Sequence, residues 1–447
     1  MKMRGMRHVA KEGVVKNAKK SFGLECIVLA LLCMVLPSCA DKPVSMVYPG
    51  KLVASDGSAN DWFGLSVSAS ADGSTIVVGA LFDDVDVNTD QGSAYVYRWN
   101  GSSWSETRLV ASDGRGGDQF GNSVSVSSDG STVVVGAHED DINGRDSGAV
   151  YVYKWNESSW NETKLMASDG AAVDYFGWSV AVSSDGAMVV VGAYKGDVGV
   201  NVNQGSAYVY KWNGSSWNET KLVASDGDEG DWFGVSVYAS ADGSTIVVGA
   251  PSDDVDANTE QGSAYVYKWN GSSWNETKLT ASDGAAYDSF GGSVSVLSDG
   301  TMVVVGAPMS DDNGNSGLAY VYRWTGNSWQ ETKIASPGGE EYDRFGMSVS
   351  ISQDGSIVVI GAPYFVKGEN KNQGSAYVYK WNGESWSEVK LTPLDGAMRS
   401  SLGISVSASS DGSIIVVGAF LDDVGTNTDQ GSAYVYKWNG SAYVVGF

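Results

Sequence analysis

The residues best equipped for chemistry are acids and amides at alternate positions. Asp84, Asp86, Asn88 and Asp90 follow one another in this way, Asp254, Asp256, Asn258 and Glu260 repeat the pattern, and Asp423, Asn427 and Asp429 form a variant. A calcium ion takes about six to eight hard oxygen ligands, and such a loop offers several. The same residues are also turn formers whose side chains bond local backbone. Spacing alone leaves weak Ca2+ binding and plain turn chemistry both open. Related loops hold Asp140, Asp141, Asn143 and Asp146, and Asp311, Asp312, Asn313 and Asn315; poorer ones hold Asp197, Asn201 and Asn203, and Glu369 and Asn372.

Other chemistry is sparse. The histidines are His8 and His138, and the cysteines Cys26, Cys33 and Cys39 all lie near the start, so no metal-spaced His set and no Cys or Ser nucleophile motif occurs. Carboxylate pairs abound, but a catalytic pair is singular and these are copied along the chain. The expectation is a protein without enzymatic activity. Asn100, Asn156, Asn161, Asn213, Asn218, Asn270, Asn275 and Asn439 each begin Asn-x-Ser/Thr. In a eukaryote they are glycosylation acceptors; in a bacterium they are turn residues copied by duplication.

These residues recur because the chain repeats. Phe-Gly stands at Phe63, Phe120, Phe176, Phe233, Phe290 and Phe345, with Leu402 in the Phe place of the last copy, at spacings of 57, 56, 57, 57, 55 and 57 residues. One period, taken at Phe233, holds four β-signals: Gly234 to Ala239, Thr245 to Ala250, Ser263 to Trp269 and Trp274 to Thr280. Asp242-Gly243 makes a tight turn between the first two. In the third, Tyr265, Tyr267 and Trp269 alternate with Ala264, Val266 and Lys268, the period of two that a strand requires. No window has a helical apolar period.

A four-stranded meander repeated seven times predicts an all-β fold, a seven-bladed β-propeller of antiparallel blades in which each blade buries itself against two neighbours. Residues 51–447 form this domain. Lys51-Leu-Val-Ala-Ser-Asp-Gly matches an outer strand and its loop, and the last copy ends where its outer strand is due. The N-terminal segment therefore supplies the missing strand and closes the ring; the alternative is that Ala442 to Phe447 pairs there itself. In a meander the second-to-third loop and the loop between blades share one face, which collects the acids. The sequons lie on the other.

Residues 1–40 read as a signal peptide: seven Lys/Arg precede residue 21 and the apolar run Cys26 to Leu36 follows. Ser38-Cys39-Ala40 suits a general signal peptidase, while Leu36-Pro37-Ser38-Cys39 resembles a bacterial lipobox, in which Cys39 is the lipid anchor. Residues 41–50 are a linker. The formal net charge is −24; removal of seven positive and two negative charges with residues 1–40 leaves −29. So acidic a domain does not bind nucleic acid or an anionic membrane through bulk charge, and it favours cations or basic partners.

Phe-Gly-x-Ser-Val with Gly249-Ala-Pro251, Gly306-Ala-Pro308 and Gly361-Ala-Pro363 resembles the FG-GAP repeats of integrin alpha-chain propellers. The phrase from Lys278 to Gly291 is similar to FG-GAP repeat proteins of microbes and algae. The resemblance covers about residues 51–447, and four copies replace the Pro, with Leu81, His138, Tyr194 and Phe420. It implies a monomeric propeller, secreted or at the cell surface, that recognises an extracellular protein or glycan on its loop face. It does not imply the integrin calcium sites, because here the first two strands are joined only by a tight turn such as Ala71-Asp72-Gly73-Ser74. A carbohydrate-binding module using Trp62, Trp178 or Trp232 is the alternative, ahead of a propeller-fold hydrolase or lyase.

Overall fold

The short apolar runs form strands because β-branched residues alternate or cluster in them and Gly-containing turns end each one. A computed structural model describes residues 50–310, 316–337, 342–365, 372–393 and 399–446. The segment read as a signal peptide, Cys39 within it and most of residues 41–50 lie outside these, as do residues 311–315 and 366–371 of the acidic loops. Among the described residues there is no helix. Seven antiparallel sheets follow one another along the chain. Blade four is Ser236–Ala239, Thr245–Ala250, Ser263–Trp269 and Trp274–Leu279, in that order from the axis outward.

The second strand of each blade is buried along its whole length. It has a sheet neighbour on either side and a blade above and below, so it reads as an unbroken apolar run. The Phe of each Phe-Gly sits fully buried between blades: Phe233 meets Tyr265 edge-on at 5.4 Å and packs with Val209 and Leu222 of the preceding blade. The glycine beside it is needed because the blades touch there through backbone. A Cβ on Gly121 would collide with the carbonyl oxygen of Ser93 in the preceding blade, and one on Gly79 there with the carbonyl oxygen of Gly121.

Around the axis the inner strands are linked by backbone bonds from blade to blade, as from Ala71 N to Ser128 O (3.0 Å) and from Ser128 N to Ser184 O (3.1 Å). The link from Ser410 N to Ala71 O (2.7 Å) joins the last blade to the first. Serines cover the remaining inner edge: Ser66 Oγ accepts from Val124 N at 2.9 Å and Ser123 Oγ from Val180 N at 3.0 Å. These bonds answer the edge-strand problem at the centre.

Closure uses both chain ends. Lys51–Leu52 pairs with Tyr434 and Ala433, while Tyr443–Val445 pairs with Trp438, Lys437 and Tyr436. The two pieces meet at Val435, whose N–H donates to Gly50 O (2.7 Å) and whose carbonyl accepts from Gly446 N (3.1 Å). The outer strand of blade seven is therefore composite. The two readings of the sequence describe its two halves.

Candidate functional site

The loop face is built from the second-to-third loops and the loops between blades, which bond to each other: Asn88 Nδ2 donates to Gly114 O at 3.3 Å, and Asn427 Nδ2 to Gly57 O at 3.0 Å. Its acids are heavily engaged. In blade four, Asp226 from the preceding loop accepts from Tyr265 Oη (2.9 Å) and pairs with Lys278 (2.8 Å); Lys278 also pairs with buried Asp253 (2.7 Å). Ser225, next to Asp226, donates through Oγ to Glu276 at 2.6 Å, and Tyr267 donates to the same carboxylate at 2.9 Å. Each Ser-Asp of the repeat thus staples one blade to the next. Burial pushes the Asp226 carboxyl up, but the bonds from Lys278 and Tyr265 outweigh it and hold it below its usual range.

In five interblade loops the last Asp, Asp61, Asp118, Asp174, Asp231 or Asp288, is buried and caps its own turn, as Asp118 accepts from Arg115 N at 2.6 Å. Burial raises Asp61 to about 7 and Asp118 and Asp231 to about 6. These carboxyls are placed for structure.

The residues singled out as cation ligands are also placed by local bonding. Asp84, Asp254 and Asp423 each accept through Oδ1 from the backbone N–H six positions on, at Asp90 (3.0 Å), Glu260 (2.8 Å) and Asp429 (2.9 Å). Asn88, Asn258 and Asn427 donate to Gln91, Gln261 and Gln430. Asp86 and Asp256 stand at a turn apex with φ near +55°, where two other copies have Gly199 and Gly425. Gly and Asp interchange there because both tolerate the left-handed region. Among the described residues no three His, Cys, Asp or Glu side chains are grouped to hold a metal ion.

At the opposite end of the blades, Asn100 Oδ1 accepts from Ser102 N and Ser103 N, both at 3.0 Å. Asn156, Asn213, Asn270 and Asn439 cap their turns in the same way. So does Asn382, which begins no sequon, with bonds of 2.9 and 2.8 Å. Thr325 takes this place in blade five, its Oγ1 accepting from Ser328 N at 3.3 Å, so the turn calls for a short acceptor side chain. Asn161, Asn218 and Asn275 lie exposed on outer strands. Beneath these turns runs a belt that the sequence did not disclose. Arg98 lies 4.4 and 4.8 Å over Trp155 and Trp160 of the next blade, Lys154 lies over Trp212 and Trp217, Lys211 over Trp269 and Trp274, Lys268 over Trp324 and Trp329, and Arg323 over Trp381 and Trp386. The recurrence of Lys or Arg just before the first Trp of each pair was the available signal.

What turn chemistry does not explain is aromatic. Each blade passes twice through the left-handed region on the way into its inner strand. At the first position stand Asn60, Gly117, Gly230 and Arg399, but Val173, Tyr287 and Tyr342 adopt φ of 70 to 72° and are 40, 59 and 54% exposed. At the second, Trp62, Tyr175 and Trp232 stand where other blades have Gln119, Ser289 and Ser401. Bulky residues there are strained by about 1–2 kcal/mol.

Two aromatic clusters result. Trp62 meets Phe82 (4.6 Å) and Phe420 (5.1 Å) where the ring closes. In blades two to four, Tyr194 stacks on Tyr175 (5.7 Å, 14°), touches Trp178 (4.7 Å) and takes Trp232 edge-on (5.9 Å). Lys195 Nζ lies 4.5 Å over Tyr175 and 5.4 Å over Tyr194. His138 is buried beside Trp178 (5.0 Å); burial, helped by Lys195, lowers it to about 4, so the ring is neutral. Its Nδ1 has no hydrogen-bond partner. The sequence pointed to Trp62, Trp178 and Trp232 singly; Tyr175, Tyr194 and Lys195 join them only in the fold.

Seven blades of four antiparallel strands, closed by a composite outer strand, define a repeat-built seven-bladed β-propeller. The chain belongs to the FG-GAP repeat family, whose repeat matches residues 49–97, 104–153, 160–210, 217–267, 274–322, 329–379 and 386–436. Each matched segment begins at an outer strand and runs through three strands of the next blade, the same offset that gives Lys51–Leu52 to blade seven. No curated protein matches the chain.

Proposed function

We propose that this is an exported binding propeller, secreted or held at the cell surface, that recognises an extracellular protein or glycan through its loop face. The observation that carries the reading is the set of apolar and aromatic side chains held exposed at left-handed positions, Val173, Trp232, Tyr287 and Tyr342, where several other blades carry Gly or a polar residue. Strain kept at an exposed surface is a marker of function. The family resemblance supports the same face. The working unit is a monomer acting as a binder and not an enzyme, it engages no nucleic acid, and it meets a membrane only through a lipid on Cys39.

The test is binding of the fluorescently labelled propeller to intact cells and to immobilised glycans. A loop-face variant, Val173→Asn with Tyr287→Ser and Tyr342→Ser, loses binding, and Asn161→Ser with Asn218→Ser on the outer strands keeps it. Equal binding by both variants, or none by the wild type, overturns the reading.

A further inference from the structure

We infer that the Trp232–Tyr194–Trp178 cluster is a seat for the ring of a neutral saccharide. This rests on the loop-face reading and adds the ligand class. A pyranose presents an apolar C–H face with a rim of hydroxyls, so its receptor needs an open aromatic plane beside polar groups of both kinds. Trp232 is 40% exposed and meets Tyr194 at an interplanar angle of 83°. The indole is therefore braced at one side by its neighbour and open elsewhere. The loop that carries it exposes Asp228 and Glu229 as acceptors, and Lys195 on the neighbouring loop is a donor.

Three observations narrow the occupant. The open seat is confined to one sector, because Pro251, Pro308 and Pro363 take the place of Tyr194 in blades four to six and the equivalent Trp62 is half-buried between Phe82 and Phe420. A cationic ligand finds the tyrosine faces already covered by Lys195. An acidic glycan meets a domain of strongly negative charge. Beside the platform His138, with a buried unpartnered Nδ1, stands where the other copies have Leu81, Tyr194, Phe420 or Pro.

Saturation-transfer NMR on the full propeller with the methyl glycosides of glucose, galactose, mannose and N-acetylglucosamine tests this, alongside a neutral glycan array. Saturable binding is expected, weakened about tenfold or more by Trp232→Ala, less by Trp232→Phe, and unchanged by Trp62→Ala. Lys195→Met weakens it without altering thermal stability. No saturable binding to any of these sugars or to the array, or equal binding by Trp232→Ala at unchanged Tm, overturns the proposal. If cell binding still depends on Tyr287 and Tyr342 while no neutral sugar binds or competes, the partner is a protein: the loop-face reading stands and the saccharide seat falls.

Discussion

Lys51 and Asp422, near opposite ends of the described chain, form an ion pair of 2.7 Å in which the side chains are 11 and 0% exposed. Lys51 also lies 5.3 Å over the ring of Tyr434, and Asp422 accepts from Tyr434 Oη (3.1 Å) and from Ser432 Oγ. In blade four, Lys278, Asp253 and Tyr265 occupy the same places. The ring is thus fastened by the device that joins each pair of neighbours, with one partner moved to the other end of the chain.

Removing one partner leaves a buried charge uncompensated. Lys51→Met should cost about 3–5 kcal/mol, and Lys51→Met with Asp422→Leu should recover much of it. Urea unfolding measures both. A loss below about 1 kcal/mol for the single variant would show that Tyr443–Val445 closes the ring unaided.

Stability should fall as pH rises through the interval from about 4 to 7. Asp61, Asp118 and Asp231 have folded pKa values of about 7, 6 and 6, above the unfolded value near 4, so the folded state binds more protons between them. Their contribution is complete below pH 4 and is lost above 7. Asp113, Asp169, Asp226 and Asp283 are held low instead, so theirs disappears only in stronger acid. The Tm should be highest near pH 5, and Asp61→Asn should shrink the difference between pH 5 and pH 8. An unchanged difference would refute the assignment of Asp61.

Each cation in the Lys/Arg–Trp belt should contribute about 0.5–1 kcal/mol, since these groups are only partly covered. Lys211→Ala and Arg98→Ala lie in different blades and share no partner, so their effects should add. Chemical denaturation of the single and double variants tests this.

Val173→Asn should stabilise the fold by about 1 kcal/mol, because Asn tolerates φ near +70° and Val does not. Asn60 stands at that place in blade one. A destabilised variant would mean that Val173 has a packing role outweighing its strain.

Thermal unfolding in 1 mM Ca2+ and in excess EDTA should coincide at matched ionic strength, since Asp84, Asp254 and Asp423 already accept from backbone N–H groups. Sites of 10 µM affinity would add about 2.7 kcal/mol each, and a shift of that size would restore the loops as metal sites.

The fold was legible in the sequence because its signals are local: alternation marks Ser263–Trp269, Asp-Gly and Asn-Gly mark the turns, and the Phe-Gly spacing counts the blades. Lys51 declared itself by copying the neighbourhood of Lys221. The partners of the acids were not legible. Asp226 lies far in sequence from Lys278, and only the tertiary fold brings them within a hydrogen bond, so the ion pairs of the interblade loops could not be read from spacing. The aromatic site divides in the same way. Composition showed three tryptophans near loops, but the platform needs Tyr175, Trp178, Tyr194 and Trp232 drawn from adjacent repeats, and the strain that sets it apart is a backbone angle. Residue type and period depend on neighbours along the chain, and they determined the architecture; charge pairing and exposure depend on neighbours across it, and the tertiary structure decided those.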